Sequence, residues 1–282
     1  MRRQTGFTMR GALLLVLMVN LSGAYAPTFA TITVPGATAT FASKVNDAGV
    51  IVGGFTDASG IDHGFLLDNG AFTTIDAPGA LATGAYGINT AGQIVGIYTD
   101  ASGATHGFLL DGSTFTPIDP PGSTFTEAFD INARGDIVGR YHDASGTMHG
   151  FVLSDGTYTT IDPPGAGFAQ AIGINARGLI VGGFEPPGHH GFTFDNGSYT
   201  VIDVPGALAT DALGISAAGG IVGRYLDAGL VFHGFLMDKG SVVTLDPPGS
   251  TFSEAIGINA SGQIVGDYRD ASGTLHGFLA TP

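Results

Sequence analysis

One tripeptide constrains this chain more than anything else in it. His-Gly-Phe recurs at His63, His106, His149, His190, His233 and His276, with spacings of 43, 43, 41, 43 and 43 residues. A fixed period of about 40–45 residues marks a repeat architecture in which each unit completes its core against its neighbours. The fourth unit is two residues short, because Phe184 to His190 spans six positions where Tyr141 to His149 spans eight. A deletion of that kind belongs in a surface loop between fixed elements.

Each unit divides into four short segments. In the second unit they are Ala85 to Asn89, Gln93 to Tyr98, His106 to Leu110 and Thr114 to Ile118. All four are rich in Ile, Val, Phe, Tyr or Thr, and none carries a useful helical period. Turn signals separate them: Asn89-Thr90-Ala91-Gly92, Asp100-Ala101-Ser102-Gly103 and Asp111-Gly112, with Pro121-Gly122 opening the link to the next unit. Asn and Asp close such turns with their own side chains, and Gly supplies positive φ. Four antiparallel strands per repeat of this length predict an all-β propeller.

The ends predict the blade count and the closure. Thr28 to Val34 reads as a fourth segment with no first three before it, and His276 to Ala280 completes a unit whose fourth segment is missing. Inserting the first strand into the last unit gives six blades of four strands and leaves no open edge, which would be an aggregation liability. The first segment of each unit, rich in Ala and Gly as in Ala171-Ile172-Gly173-Ile174-Asn175, suits the crowded axis. Phe151, Ile137, Ile161 and their counterparts are expected to pack between blades.

Residues 1–26 read as a secretory signal peptide. Arg2, Arg3 and Arg10 flank an apolar run from Gly11 to Leu21, and Ser22 to Ala26 offers small residues for cleavage after Ala24 or Ala26. That run is too short to span a bilayer comfortably. Residues 27–282 then form a single propeller domain, secreted or periplasmic, with no membrane-spanning segment left after cleavage. The chain has no cysteine, so neither a lipid anchor nor disulfides assist it. Without the leader it keeps seven basic residues against 24 acidic ones, a formal charge of about −17. Nucleic-acid binding, which needs a basic footprint, is excluded.

Three stretches are near copies of one another: GINTAGQIVG (Gly87 to Gly96), GINARGLIVG (Gly173 to Gly182) and GINASGQIVG (Gly257 to Gly266), each followed by His-Gly-Phe. With these stretches the repeats resemble a family of bacterial extracellular repeats named HAF, with His-Gly-Phe in place of His-Ala-Phe. The resemblance covers nearly all of the chain beyond the leader. It implies an extracellular location and brings no catalytic residues with it.

Blade loops alternate between the two faces of a propeller. The Asp-Ala-Ser-Gly loops (Asp57, Asp100, Asp143 and Asp270, with Asp227 in a divergent copy) and the Asp-containing links (Asp76, Asp119, Asp162, Asp203 and Asp246) fall on one face, with the six histidines near them. Such an acidic face invites a Ca²⁺ site, but Asp before a turn also caps its own backbone, and a repeated His pins a loop by bonding Asp. The structural reading is preferred because a site used once would vary between blades, whereas these residues recur. No metal, cofactor or catalytic residue is assigned. The adjacent pair His189 and His190 is weak evidence for zinc.

Departures from the repeat carry more information. The position taken to open the innermost strand is Phe41, Gly84, Glu127, Gln170, Asp211 or Glu254. Lys44 and Asp130 replace the usual glycine near the end of that strand, and the position after Val-Gly is Gly54, Ile97, Arg140, Gly183, Arg224 or Asp267. Glu127, Gln170, Asp211, Glu254, Lys44, Asp130, Arg140 and Arg224 are therefore the candidate ligand-binding residues at the channel mouth. Two functions compete. One is a noncatalytic binding or surface-structural protein that recognises a glycan or a cell-surface partner. The other is a carbohydrate-active enzyme, a hydrolase or lyase, with Asp211 and Glu254 the better-placed carboxylate pair.

Overall fold

Short β-branched and aromatic segments separated by turns of two to five residues pair most readily with their sequence neighbours, and all but the closing strand do so. In a computed structural model describing residues 27–185 and 188–282, six four-stranded antiparallel sheets follow one another around a central axis. The first blade uses Ala39–Val45, Ile51–Thr56, Asp62–Asp68 and Ala71–Ile75. Blades two to six begin with Ala82–Ile88, Phe125–Ile131, Phe168–Ile174, Ala209–Ile215 and Phe252–Ile258. The innermost strands thus start two residues earlier than the variable position predicts.

Closure follows the expected route. Thr28–Ile32 pairs antiparallel with Leu275–Thr281, in a register running from Thr28 opposite Thr281 to Ile32 opposite Gly277. The seam is reinforced by a hydrogen bond between the Thr28 and Thr281 hydroxyls at 2.7 Å and an edge-on contact between Phe29 and Phe278 at 5.6 Å. The signal-peptide reading concerns residues 1–26, outside the described residues. Among the described residues, no helix is long and apolar enough to cross a membrane.

The hydrophobic core is distributed between blades. Phe65, Phe108, Phe151, Phe192, Phe235 and Phe278 are essentially fully buried. Phe151 and Ile137 join Val95 and Ile118 of blade two, while Ile161 meets Ala169 and Ile174 of blade four. Each such side chain stabilises by about 1.5–3 kcal/mol on burial. The glycine of the Val-Gly pair makes this packing possible. A Cβ on Gly139 would lie 2.0 Å from the Glu127 carbonyl oxygen and 2.7 Å from the Phe151 ring.

The recurrent polar residues are fastenings. Each repeated histidine packs against a Phe or Tyr ring of its second strand, as His106 does on Tyr98 at 5.2 Å. His63, His106, His149, His190 and His233 bond through Nδ1 to Asp76, Asp119, Asp162, Asp203 and Asp246 at 2.6–2.9 Å. In blade six the link residue is Thr33, whose hydroxyl lies 3.5 Å from His276 Nδ1, and His276 Nε2 bonds Asp270 at 3.1 Å. The Asp-Ala-Ser-Gly carboxylates are consumed locally: Asp100 Oδ1 accepts from the Ser102 amide and hydroxyl and from the Ala104 amide, at 2.7–3.0 Å.

On the opposite face the Asn turns do more than turn. Asn89 Oδ1 accepts the Ala91 and Gln93 amides at 3.0 Å, and its Nδ2 donates to the Asn132 carbonyl of the next blade at 3.2 Å. Asn46, Asn132, Asn175 and Asn259 make the same reach, to Asn89, Asn175, Ser216 and Asn46. The girdle breaks once, at Ser216 in blade five, whose short side chain serves only its own turn, accepting the Gly220 amide.

Candidate functional site

The two variable positions singled out in the sequence are cross-strand partners. Phe41 stands opposite Gly54, Gly84 opposite Ile97, Glu127 opposite Arg140, Gln170 opposite Gly183, Asp211 opposite Arg224 and Glu254 opposite Asp267. Variation at one is answered at the other. Phe41 lays its ring where a Gly54 side chain would be, two blades hold opposite charges, and blade six holds two acids.

These pairs surround one end of the channel, where a cavity of about 460 Å³ opens. Of the sequence candidates, Lys44, Asp130, Arg140, Gln170, Arg224 and Glu254 line it. Glu127 and Asp211 do not reach the wall. They are buried, 8% and 2% exposed, and act as anchors for the arginines. Lys44 and Asp130 sit deeper than the mouth, because the innermost strand descends the axis by about 3.3 Å per residue. Lys44 also lines a smaller cavity beyond, so the bridge from its Nζ to Asp130 Oδ2 at 2.5 Å lies where the two spaces meet. Asp130 Oδ2 also accepts the Ile174 amide of blade four at 3.0 Å.

Most of the apolar lining escaped the sequence reading. In every innermost strand the register slips by one residue against the second strand, between Ala42 and Lys44 and at the five equivalent places. A β-bulge redirects the side chains around it. Here the extra residue is Ser43, Tyr86, Phe129, Ile172, Leu213 or Ile256, and all six line the cavity. Tyr86 and Phe129 stand 5.9 Å apart, with the Arg140 guanidinium 5.5 Å from the Phe129 ring. The available signal was a variable residue directly before the axial glycine.

The charged groups form two networks. Arg140 pairs with Glu127 through Nε and donates through Nη1 to Gln170 Oε1 at 3.1 Å. Arg224 bonds Asp211 Oδ2 at 2.9 Å and Glu254 Oε2 at 2.8 Å, and lies 4.8 Å from the Phe232 ring. His189, brought inward by the shortened loop of blade four, extends the second network. Its Nε2 meets Asp211 Oδ1 at 2.5 Å and its Nδ1 meets Glu185 Oε1 at 2.6 Å. Gly183 keeps that space open, since a Cβ there would be 2.7 Å from Asp211 Oδ1. The Asp211 hydrogen bond, outweighing burial, raises His189 to about 9, so the imidazole is a cation at neutral pH. Burial alone would push Asp211 up; the His189 bond and the Arg224 charge reverse this and hold it below the usual carboxylate range. Asp267 goes the other way: burial and the neighbouring Glu254 charge push it well above that range. Among the described residues no group of three or more His, Cys, Asp or Glu is placed to hold a metal ion.

No protein-family profile matches the chain, and no curated protein does. Solved structures resemble it in fold. TolB from Acinetobacter baumannii superposes with a TM-score of 0.58 at 13% identity, over 87% of this chain and 64% of TolB. The SapL1 lectin in complex with alpha methyl fucoside gives 0.57 at 11% identity, over 86% and 93%. The Aleuria aurantia lectin, described as a six-bladed β-propeller with a novel mode of fucose recognition, gives 0.52 at 14% identity, over 86% and 91%. At these identities what is shared is the six-bladed, all-β propeller fold.

Proposed function

We propose that the protein is an exported, noncatalytic glycan-binding propeller with one ligand site, in the axial cavity. The observation that carries this is convergence. The residues that recur in every blade are engaged in His–Asp and Asn fastenings, whereas the positions that break the repeat meet at one cavity. Its volume of about 460 Å³ falls in the range of small-molecule sites, about 300–1,000 Å³. Its wall combines aromatic faces at Tyr86 and Phe129 with fixed donors and acceptors at Arg140, Gln170, Arg224 and Glu254, a mixture suited to the apolar faces and hydroxyl edges of a sugar. The leader, the −17 charge and the likeness of the repeats to HAF extracellular repeats support export, and lectins use the same fold. Against the hydrolase or lyase alternative, Asp211 and Glu254 both close on Arg224, at 2.9 and 2.8 Å, which ties up the two carboxylates as a structural network.

Binding of purified residues 27–282 to a glycan array tests the proposal. Saturable binding of at least one sugar at one site per chain is expected, weakened about tenfold or more in Tyr86→Ala or Arg140→Ala. Binding untouched by both variants, or release of reducing ends or unsaturated products from a bound polysaccharide, would overturn it.

A further inference from the structure

Blade six breaks a rule that the other blades keep. Where the paired variable positions carry charge, Glu127 faces Arg140 and Asp211 faces Arg224. Glu254 instead faces Asp267, another acid. Glu254 has a cation in Arg224, but that guanidinium is shared with Asp211. Asp267 is 5% exposed and lines the cavity. Its carboxyl stands across the strand pair from that of Glu254, and the charges of Arg224 and Arg269 act on it more weakly than burial and Glu254 do. Lys44, on the adjoining strand of blade one, is closed on Asp130.

A buried carboxyl without a cation is expensive, and it stays buried here only by keeping a proton. Replacing Asp267 by Asn would offer Glu254 an amide donor and remove that burden, so stability does not require an acid at this place. The missing partner is a positive charge entering from the cavity. Phe41 of the adjoining blade borders the same space and offers an aromatic surface of the kind that favours cations. An ammonium has three donors, enough to reach both carboxyl groups.

We propose that the cavity selects a sugar carrying a free amine, with the ammonium seated between Glu254 and Asp267. This rests on the glycan-binding reading and deepens it. When the amine enters as an ammonium, the Asp267 O–H bond breaks, its proton passes to the buffer, and the resulting carboxylate pairs with the ligand. The remaining hydroxyls fall to Arg140, Gln170 and Arg224, and the apolar face of the ring to Tyr86 and Phe129.

The test is calorimetric titration of the unmodified protein at pH 6 with glucosamine, N-acetylglucosamine, glucose and methylammonium, each in two buffers of different protonation enthalpy. Glucosamine is expected to bind about tenfold or more tightly than the other three and to release up to one proton. In Asp267→Asn that release and the preference over glucose disappear; Glu254→Gln, a second variant, also loses the preference. Equal affinity for glucosamine and glucose overturns the amine assignment while the glycan-binding reading stands. Methylammonium binding as tightly as glucosamine overturns the sugar part of it. Failure of all the sugars, here and on the array, overturns both.

Discussion

At the scale of single residues, the same pair of side-chain types serves two purposes in this molecule, and neighbours decide which. His149 lies between Asp162 at 2.6 Å and Asp143 at 3.5 Å. Burial lowers its pKa, but the two carboxylates more than reverse this, as they do for His233; for His63 the Asp76 bond is the leading cause of a rise. Stability gained from a raised histidine is complete below its unfolded value of about 6.5 and is lost as pH climbs through the folded one. The loop carboxylates behave in the opposite sense. Asp100 and Asp143 are lowered to about 2, first by the hydroxyls of Ser102 and Ser145, so their contribution holds above about pH 4 and disappears only as pH falls towards 2. Asp267 binds its proton more tightly folded than unfolded and adds a decline that starts above about pH 4. Thermal unfolding from pH 3 to 9 at constant ionic strength is therefore expected to peak between about pH 4 and 6 and to fall towards pH 9, where His189 also loses its proton. Asp267→Asn should flatten the early part of that fall. A melting temperature that climbs steadily from pH 4 to 8 would contradict these assignments.

At the scale of the strand and turn, periodicity revealed most of the construction but not the place where it is locally broken. The four segments, their turns and the orphan strand were legible because alternation and turn chemistry repeat six times. Lys44, Asp130, Arg140, Gln170, Arg224 and Glu254 were legible as cavity residues because they interrupt that repetition. Tyr86, Phe129 and Leu213 were not, since a one-residue slip in register leaves no mark on composition, and in an unbulged strand they would read as ordinary core. His189 was hidden for another reason: its position depends on where a shortened loop lands. The reach of the Asn turns was not legible, because a side chain that caps its own turn gives no sign that its amide also reaches the next blade. The gap at Ser216 makes that reach measurable. Ser216→Asn is expected to keep the turn through Oδ1 and to add the sixth inter-blade bond, to the Asn259 carbonyl. One such bond contributes about 0.5–1.5 kcal/mol, equivalent to a rise of about 1–5 °C in melting temperature for a chain of this length. An unchanged or lower melting temperature would mean that the girdle carries no tension between blades.

At the scale of the whole molecule, six similar units become one domain through a single strand. Within each blade the partners are close in sequence, whereas Thr28 and Thr281 are 253 residues apart. Removing residues 28–34 would expose the outer edge of Leu275–Thr281 and withdraw Phe29, Ile32 and Val34 from the seam. Burial of three such side chains is worth about 5 kcal/mol, so the truncated protein is expected to melt about 10–20 °C lower and to self-associate through the free edge. Light scattering and thermal unfolding of both forms would show this; equal melting temperatures would mean that the ring does not depend on its closing strand.

That closing strand also sets a timetable. Its partner is the last strand of the ring in chain order, so a nascent chain that stops short of it cannot finish the ring, however well the early blades have formed. Bringing ends 253 residues apart together costs about 1.6 kcal/mol more in chain entropy than spanning one repeat, a modest excess once five blades have shortened the path. Under the proposed export of the chain, the delay has a use. A ring that cannot close until Leu275–Thr281 is available would stay threadable during such a translocation and reach its full stability only after that strand has emerged on the far side.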